Sequence, residues 1–537
     1  MTRVAIIGGG IGGLTAANAL SRAGIEVAVY EAAGELKEIG AGVALHPNAM
    51  KVLGAIGLED KVRAVAGRSE WAVSRNWKTG RVITRTSREQ QAASFGAQGT
   101  TAHRADLLDV LAGALPDGIV TLGKRCQEVL TDGDVAVARF ADGTSAEADI
   151  VIGADGIHSR VRESLFGPDA PRFTGKICYR SVVPAAAVPG APPDTDNTQW
   201  LGPHGTIVLY PLRGSELINI VAHYDDEDYR HESWIAECDR AEVLERYAGW
   251  HESVLRLFGA AGTWYKWALY DRDPITQWTR GRVTLLGDAA HAMLPYLGQG
   301  ACQALEDGAV LATALSAESA DPVRGLARYE RTRRPRASSV VLTARERGLS
   351  NHLTSPWAAW RRDLSIAVRR RLNRRDPEGR GGAWLAAYDA TSPDVLVSLP
   401  RQASSRLSNS PSAPRSSGPS GANRSSAARR LASRMPSRYA SPRSVRCRRI
   451  ARRLPGSISR RTRPASSSAS TTVVTDRGTM PSFSASSVIR GDSSLRVITR
   501  SARSCPGVRP SGDSCAACPL RSRRATRCSR SASCTGS

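Results

Sequence analysis

Near its N-terminus the chain reads Gly8-Gly9-Gly10-Ile11-Gly12-Gly13, a G-x-G-x-x-G spacing at Gly8, Gly10 and Gly13. Such a spacing works through backbone rather than side chains. The first glycine permits a tight turn, the second lets the backbone approach a pyrophosphate, and the third packs a helix against a strand. The N–H groups and dipole of that helix then attract the phosphates. A glycine cluster alone means little. This one follows the apolar run Val4–Ile7 and precedes an Ala/Leu-rich helix that Gly24 stops. Glu31 closes the next apolar run, Glu26–Glu31, eighteen residues past Gly13, where a carboxylate can grip a ribose hydroxyl.

Two further stretches have the same strand-then-glycine character. One is Val151-Ile152-Gly153-Ala154-Asp155-Gly156-Ile157-His158-Ser159-Arg160-Val161-Arg162. The other runs from Val283 to Asp307, VTLLGDAAHAMLPYLGQGACQALED, with Gly287-Asp288 at its corner. No pair of carboxylates set for acid–base work, metal-ligand spacing or nucleophile triad stands out in the first 400 residues, so the expected metal content is none. No second G-x-G-x-x-G and no Cys-x-x-Cys occurs in the first 400 residues. A separate pyridine-nucleotide domain and disulfide-reductase chemistry are therefore disfavoured.

Taken in order, the fingerprint, Ala-Asp-Gly-x-x-Ser-x-x-Arg and Leu-Gly-Asp-Ala-Ala-His closely resemble the FAD-dependent aromatic hydroxylases, or group A flavoprotein monooxygenases. The resemblance covers roughly residues 3–390. It is nearest in style to the salicylate, 3-hydroxybenzoate and 6-hydroxynicotinate hydroxylases, through elements like Gly40-Ala41-Gly42, Pro47-Asn48, His103-Arg104-x-x-Leu107 and Tyr210-Pro211-Leu212-Arg213-Gly214. It implies non-covalent FAD held by Gly8, Gly10, Ile11, Gly13 and Glu31, with Arg104 and Asp155 at the pyrophosphate. Asp288 would serve the ribityl or pyrophosphate region, and the backbone of Gly298-Gln299-Gly300 the pyrimidine end of the ring. A helix starting near Ala301 would aim its positive end at the flavin and favour the charge of the reduced ring.

The same resemblance implies NADH or NADPH as reductant, O2 as co-substrate, and a flavin C4a-hydroperoxide that hydroxylates a small phenolic or carboxylated aromatic. The substrate pocket would be lined by Ala44, His46, Thr206, Val208, Tyr210, His223, Pro295 and Tyr296. His46, His204 and Tyr210 are the candidate catalytic side chains, and His291 is expected to orient its loop. The 3-hydroxybenzoate type carries His where this chain has Thr206 and Gln where it has Pro295. The 6-hydroxynicotinate type carries His at the position of Ala44. An epoxidase or reductase acting on a polyene or lipid-like substrate is the alternative chemistry.

These residues need a scaffold. The expected fold is α/β: a Rossmann-like FAD-binding domain interleaved with a mostly β substrate domain, then C-terminal helices and a disordered Ser/Arg-rich tail. The FAD-binding domain spans 1–175, with 70–100 contributing to the substrate sheet. The substrate domain spans 176–270, and 271–390 returns to FAD binding and helices. Within this scheme, Ala102–Leu115 reads as a helix, Ala148–Ile152 as a strand, and Trp71–Ser74 with Val82–Thr84 as a hairpin.

Charge separates the last segment. Over 537 residues the net charge is +24, but residues 401–537 hold 28 Arg against three Asp and no Lys or Glu. The first 400 residues are close to neutral. With 35 Ser in 137 residues, the segment cannot bury enough apolar surface to offset chain entropy, so 395–537 is expected to be disordered. Such a tail would bind nucleic acid only non-specifically. Arg without Lys, mixed with Ser, Pro and Cys, also resembles a high-GC reading frame translated out of register. Four scattered cysteines in the body suit a reduced, cytoplasmic protein. No apolar run reaches the roughly 18 residues of a membrane span. A homodimer is left open.

Overall fold

The first apolar run forms the strand Arg3–Ile7, flanked by two parallel strands, Glu26–Tyr30 and Ile150–Gly153. Six strands make this sheet, in the order Thr279–Arg280, Val283–Leu285, Ile150–Gly153, Arg3–Ile7, Glu26–Tyr30, Val120–Thr121. All neighbours run parallel except the short edge strand Thr279–Arg280. Register sets which residues meet at the end of the sheet. Ile7 pairs with both Tyr30 and Gly153, and Gly153 pairs with Leu285. The residues just past these strands, Gly8, Glu31, Ala154-Asp155 and Gly287-Asp288, therefore emerge along one edge of the sheet. Motifs well over a hundred residues apart in sequence become neighbours at the carboxyl ends of parallel strands, where open α/β sheets bind ligands.

The computed structural model describes residues 2–36, 42–188, 196–372 and 382–397. Gly40, Ala41 and the Arg/Ser-rich segment, with the disorder expected of it, lie outside the described residues. All described residues belong to one unit, Met1–Pro419.

The fingerprint helix Ile11–Arg22 is buried along nearly its whole length. Ile6, Leu14, Leu20 and Val29 have no exposed surface, and truncating one such leucine to alanine costs about 2–5 kcal/mol. The helix Gly300–Ala317 packs against it through small residues: a Cβ on Gly308 would stand 2.9 Å from the backbone nitrogen of Ala16. That close approach brings the start of Gly300–Ala317 up to the same sheet edge.

A second sheet has eight strands, in the order Glu237–Cys238, Trp264–Asp271, Arg172–Pro184, Leu217–Asp225, Gly205–Leu212, Asp196–Gly202, Trp71–Asn76, Val82–Ser87. Pairing is antiparallel except between Asp196–Gly202 and Trp71–Asn76. Alternation splits its faces. Ile207 and Leu209 join Tyr179, Trp200, Tyr247, Phe258 and Trp264 in one core cluster. Val208, Tyr210, Val221 and Trp267 face the other way.

Some elements differ from the sequence expectation. The hairpin strands are longer, Trp71–Asn76 and Val82–Ser87, because the Asn76 side chain accepts from the N–H groups of Lys78 and Thr79 and fixes the turn. The helix expected over Ala102–Leu115 is Arg104–Ala112, since Thr100–His103 pairs as a strand with Gly42–Leu45. The strand expected over Ala148–Ile152 is Ile150–Gly153. Ser145–Ala148 belongs to a separate hairpin, and the chain crosses over at Asp149, whose carboxylate accepts from Arg3 N at 2.8 Å.

Candidate active site

A cavity of about 1440 Å3 follows the carboxyl edge of the parallel sheet and continues to the Val208–Tyr210 face of the eight-stranded sheet. Pockets for single drug-sized ligands run roughly 300–1,000 Å3, so this one has room for a dinucleotide and a second molecule.

At the dinucleotide end, Gly8 has φ of 112°, and its N–H donates to Tyr30 O at 2.8 Å, closing the strand-to-helix turn. A Cβ at Gly13 would collide with the Gly8 carbonyl oxygen, so Gly13 sits below the wall and serves packing. Gly10, the N-cap of the helix, is different. It lines the cavity, and a Cβ there would meet no protein atom within 4 Å. The space beside it is cavity. Ile11 also lines it. Glu31 lies in the wall, its carboxylate accepting from Gly9 N at 2.6 Å and Ala33 N at 2.8 Å. Arg104 opens the helix Arg104–Ala112 and faces the cavity, with its guanidinium over the exposed Trp234 ring.

Asp155 is placed in the wall, but its side chain is turned to its own loop. Its oxygens accept from Ser159 Oγ at 2.5 Å, Arg160 N at 2.8 Å and Val161 N at 3.2 Å, at the start of the helix Arg160–Phe166. Arg162 braces this loop from beneath, paired with Asp169 and donating to Ala289 O. Asp288 contrasts with it: exposed on the cavity wall, it has no hydrogen-bond partner among the described residues.

Gly298, Gln299 and Gly300 line the cavity where the helix Gly300–Ala317 begins. First-turn N–H groups of a helix have no partner within it, so this end offers donors to a ligand. The Gln299 side chain points the other way, its Oε1 accepting from Asn48 and Gln303, both at 3.0 Å. Beneath it lies a buried ionic network the motif reading missed. His291 Nε2 is 2.6 Å from Asp307 Oδ2, which also accepts from Gly287 N at 3.0 Å. Arg333 joins Asp307 at 2.7 Å to Glu306 at 2.5 Å, and Arg336 holds Glu306 at 2.7 Å. Burial alone would raise both carboxyl pKa values. Arg336 and Arg333 at Glu306, and His291 and Arg333 at Asp307, instead hold them below their ordinary range. Thus His291 holds the Gly287-Asp288 corner through Asp307. A sequence signal existed: two adjacent acids inside the otherwise apolar helix around ACQALEDGAVLATAL demand buried cations.

At the other end, Ala44, His46, Val208, Tyr210, Pro295, Tyr296 and His223 line the cavity. His46 stands at the N-cap of Pro47–Ala55, its ring next to Gly298. Tyr210 is buried against Gly42, and burial pushes its phenol up to about 12, so it stays a donor rather than a base. Two expected residues are elsewhere. His204 sits at the hairpin tip with φ of 58°, its side chain 54% exposed and 3.7 Å from Asp225. A tight turn points it to solvent, away from the cavity. Thr206 is fully buried and shares the Val208–Tyr210 face, but lies past the end of the cavity, where its cross-strand partner His223 takes the wall position. Among the described residues no group of His, Cys, Asp and Glu forms a metal site, and no helix is long and apolar enough to cross a membrane.

Residues 1–344 match the FAD binding domain family. The 3-amino-4-hydroxybenzoate 2-monooxygenase of Streptomyces platensis is 40% identical over 389 residues, covering 72% of this chain and 96% of that protein. The chain belongs to the FAD-dependent aromatic hydroxylases. The 6-hydroxynicotinate 3-monooxygenase of Pseudomonas fluorescens is 39% identical over 343 residues, covering 63% and 89%. The structure of Klebsiella pneumoniae HpxO complexed with FAD and uric acid superposes with a TM-score of 0.64 at 28% identity, over 74% of this chain and 97% of that one. The hydroxylase is thus an FAD enzyme, and its cavity fits that cofactor: open space at Gly10, a helix N-terminus at Gly300, and at Asp288 an exposed carboxylate with no hydrogen-bond partner among the described residues.

If Asp288 takes a cofactor hydroxyl, Asp288→Ala should weaken FAD binding roughly ten- to a hundred-fold, since a hydrogen bond to a charged group contributes about 1.5–3 kcal/mol. Titrating apoprotein with FAD by fluorescence measures it. Unchanged affinity would remove Asp288 from the site.

Proposed function

We propose that this hydroxylase adds one oxygen atom to a small monocyclic aromatic bearing a phenol, with or without a carboxylate, consuming NADH or NADPH and O2. The observation that carries the reading is the continuity of the cavity, from the fingerprint edge to a compact aromatic and polar end at Tyr210, His223 and Tyr296. Bound FAD, reduced by the pyridine nucleotide, would activate O2 and supply the oxygen atom. The backbone at Gly8, Gly10 and Ile11 and the Arg104 guanidinium would hold the pyrophosphate, and Glu31 a ribose. Asp288 would hold the ribityl region and the N–H groups at Gly300 the ring. The sheet face of Val208 and Tyr210 and the loop Pro295–Tyr296 would orient the aromatic. Their bulk would also keep out water, which wastes the activated oxygen. The division into an FAD-binding part and a substrate part would follow the two sheets, a reading supported by the cavity that runs from one to the other.

Names of relatives guide the choice of compounds: 3-amino-4-hydroxybenzoate, 6-hydroxynicotinate and salicylate. The expected result is that at least one member of a panel of these and related phenolic acids stimulates NAD(P)H oxidation and acquires one atom from labelled O2, in near-equal amount to the reductant consumed. Hydrogen peroxide alone with every phenolic acid would overturn the reading. The four cysteines among the described residues are free, which together with dependence on NAD(P)H suits a cytoplasmic enzyme, working alone or as a homodimer. The segment after residue 400, at net +25, would add only salt-dependent attraction to nucleic acid.

A further inference from the structure

The helix Pro356–Leu372 carries an apolar stripe left open to solvent among the described residues. Trp357, Trp360, Leu364, Val368 and Leu372 recur at three- and four-residue spacing, so they share one side of the helix. All five are between 45% and 80% exposed. The two indole rings stack on each other, 4.7 Å between centroids and 14° between planes. Exposed apolar residues scattered singly are ordinary, but a row of five on one face marks an interaction surface. The helix does not need this side to hold it to the protein. Its other side buries Ile366 and Asp363. Asp363 accepts from its neighbour Arg362 and pairs with Arg81 at 3.7 Å, and Arg362 donates to Ser350 O at 3.0 Å.

Charge identifies the partner. The same helix has Arg361, Arg362, Arg369, Arg370 and Arg371 against the single acid Asp363. Arg361, Arg369 and Arg371 are exposed beside the stripe. A second copy of the chain, seated helix to helix across a two-fold axis, would set these arginines against themselves, and like charges oppose association. A neutral apolar partner would leave them unanswered. An anionic lipid surface matches both features. Its headgroups take the arginines, while the tryptophans and aliphatic side chains sink into the boundary between headgroups and acyl chains. With five arginines in 17 residues the helix would lie on such a surface, and among the described residues no helix is long and apolar enough to cross it.

We propose that Pro356–Leu372 docks this enzyme reversibly on an anionic membrane surface, its axis in the plane of the interface and its stripe from Trp357 to Leu372 facing the lipid. Docking does not depend on which aromatic the enzyme takes. Arg81, the ion-pair partner of Asp363, precedes the strand Val82–Ser87 at the edge of the eight-stranded sheet, and Thr84 and Thr86 of that strand line the cavity. A docked helix would therefore hold a cavity-lining strand near the lipid, where apolar aromatics concentrate.

The test uses the full-length FAD-loaded enzyme and vesicles of phosphatidylglycerol and phosphatidylcholine, with bromine on the acyl chains to quench tryptophan fluorescence. The wild type should float with these vesicles and lose fluorescence to the bromine. It should bind phosphatidylcholine alone about ten-fold more weakly or worse, because the arginines then find no net negative charge. Trp357→Ser with Trp360→Ser should abolish the quenching and weaken binding by about ten-fold or more, since burial of apolar side chains drives the insertion. Leu364→Ser with Val368→Ser leaves both indoles in place and should weaken binding similarly. Arg369→Gln and Arg371→Gln should each weaken it about five-fold, the usual contribution of one arginine near an anionic surface. Flavin content and Tm should persist throughout, because the changed side chains are exposed. Two separate apolar pairs keep the test open should one fail to fold. The Arg-rich segment after residue 400 holds no tryptophan. Binding without quenching would therefore trace the attraction to charge alone and overturn the proposal. So would wild-type binding in both folded pair variants, or no binding at all. A wild-type dimer that the tryptophan pair splits, with no vesicle binding, would assign the stripe to a second copy and overturn it as well.

Discussion

Arg333→Met should lower the stability of the folded protein by about 3–5 kcal/mol, the cost of breaking a buried ion pair by removing one partner. Arg333 has no exposed surface, and its guanidinium reaches Glu306, Asp307 and the Gln303 side chain at 2.5, 2.7 and 2.8 Å. Methionine fills much of the volume, so packing changes least and charge most. Glu306 keeps Arg336 and Asn48, and Asp307 keeps His291 and Gly287 N. The loss is therefore large without being total. A chemical denaturation midpoint measures it. A shift worth under about 0.5 kcal/mol, the level of an ordinary surface substitution, would mean that the network contributes nothing net.

The pH dependence gives the sign. Glu306 and Asp307 have folded pKa values held below the ordinary range. Their contribution is present above the unfolded values, roughly pH 4, and is lost as pH falls through the folded ones. Removing Arg333 raises the folded values, because one of the charges that offset burial at each carboxylate is lost. The gap between wild type and Arg333→Met should be widest near neutral pH and narrow in acid. The same variant should retain FAD less well, since Asp307 holds the backbone nitrogen of Gly287, next to Asp288.

The dinucleotide end of the site was legible because its chemistry is carried by backbone, and backbone needs leave glycines at fixed spacing. Gly8, Gly10, Gly287 and Gly298 each mark a place where a side chain would collide or a positive φ is required, or where the cavity begins. The parallel register then brings the motifs together without further information. The opposite end was less legible because strand pairing sets its wall. Thr206 and His204 lie just before the family-like element Tyr210–Gly214, yet one is past the cavity end and the other in a turn. His223, expected at the pocket from the resemblance, stands in the wall opposite Thr206 through their cross-strand pairing. Asp155 read as a ligand and is placed as a brace for its own helix. The ionic network escaped because its acids and arginines sit on two successive helices, Gly300–Ala317 and Pro322–Asn351, whose packing no motif encodes, although the acid pair Glu306-Asp307 in an apolar helix pointed to it.

Gly10→Ala and Gly13→Ala should fail in different ways, and the difference isolates the cofactor. A Cβ at Gly13 meets the Gly8 carbonyl, which is backbone and cannot swing aside. That substitution must push the helix Ile11–Arg22 from its turn, lowering Tm and FAD affinity together. A Cβ at Gly10 meets no protein atom within 4 Å and projects into the cavity. Gly10 is not among the residues with positive φ, so alanine adopts its backbone without strain. Gly10→Ala apoprotein should therefore melt within a degree or so of wild-type apoprotein. Its FAD affinity should nonetheless fall about a hundred-fold or more, because the methyl occupies space the pyrophosphate needs against the helix N-terminus. The readouts are thermal melting of the two apoproteins and titration of each with FAD. Wild-type affinity in Gly10→Ala would place the pyrophosphate elsewhere in the cavity. A collapsed Tm in the same variant would show that Gly10 serves packing, as Gly13 does.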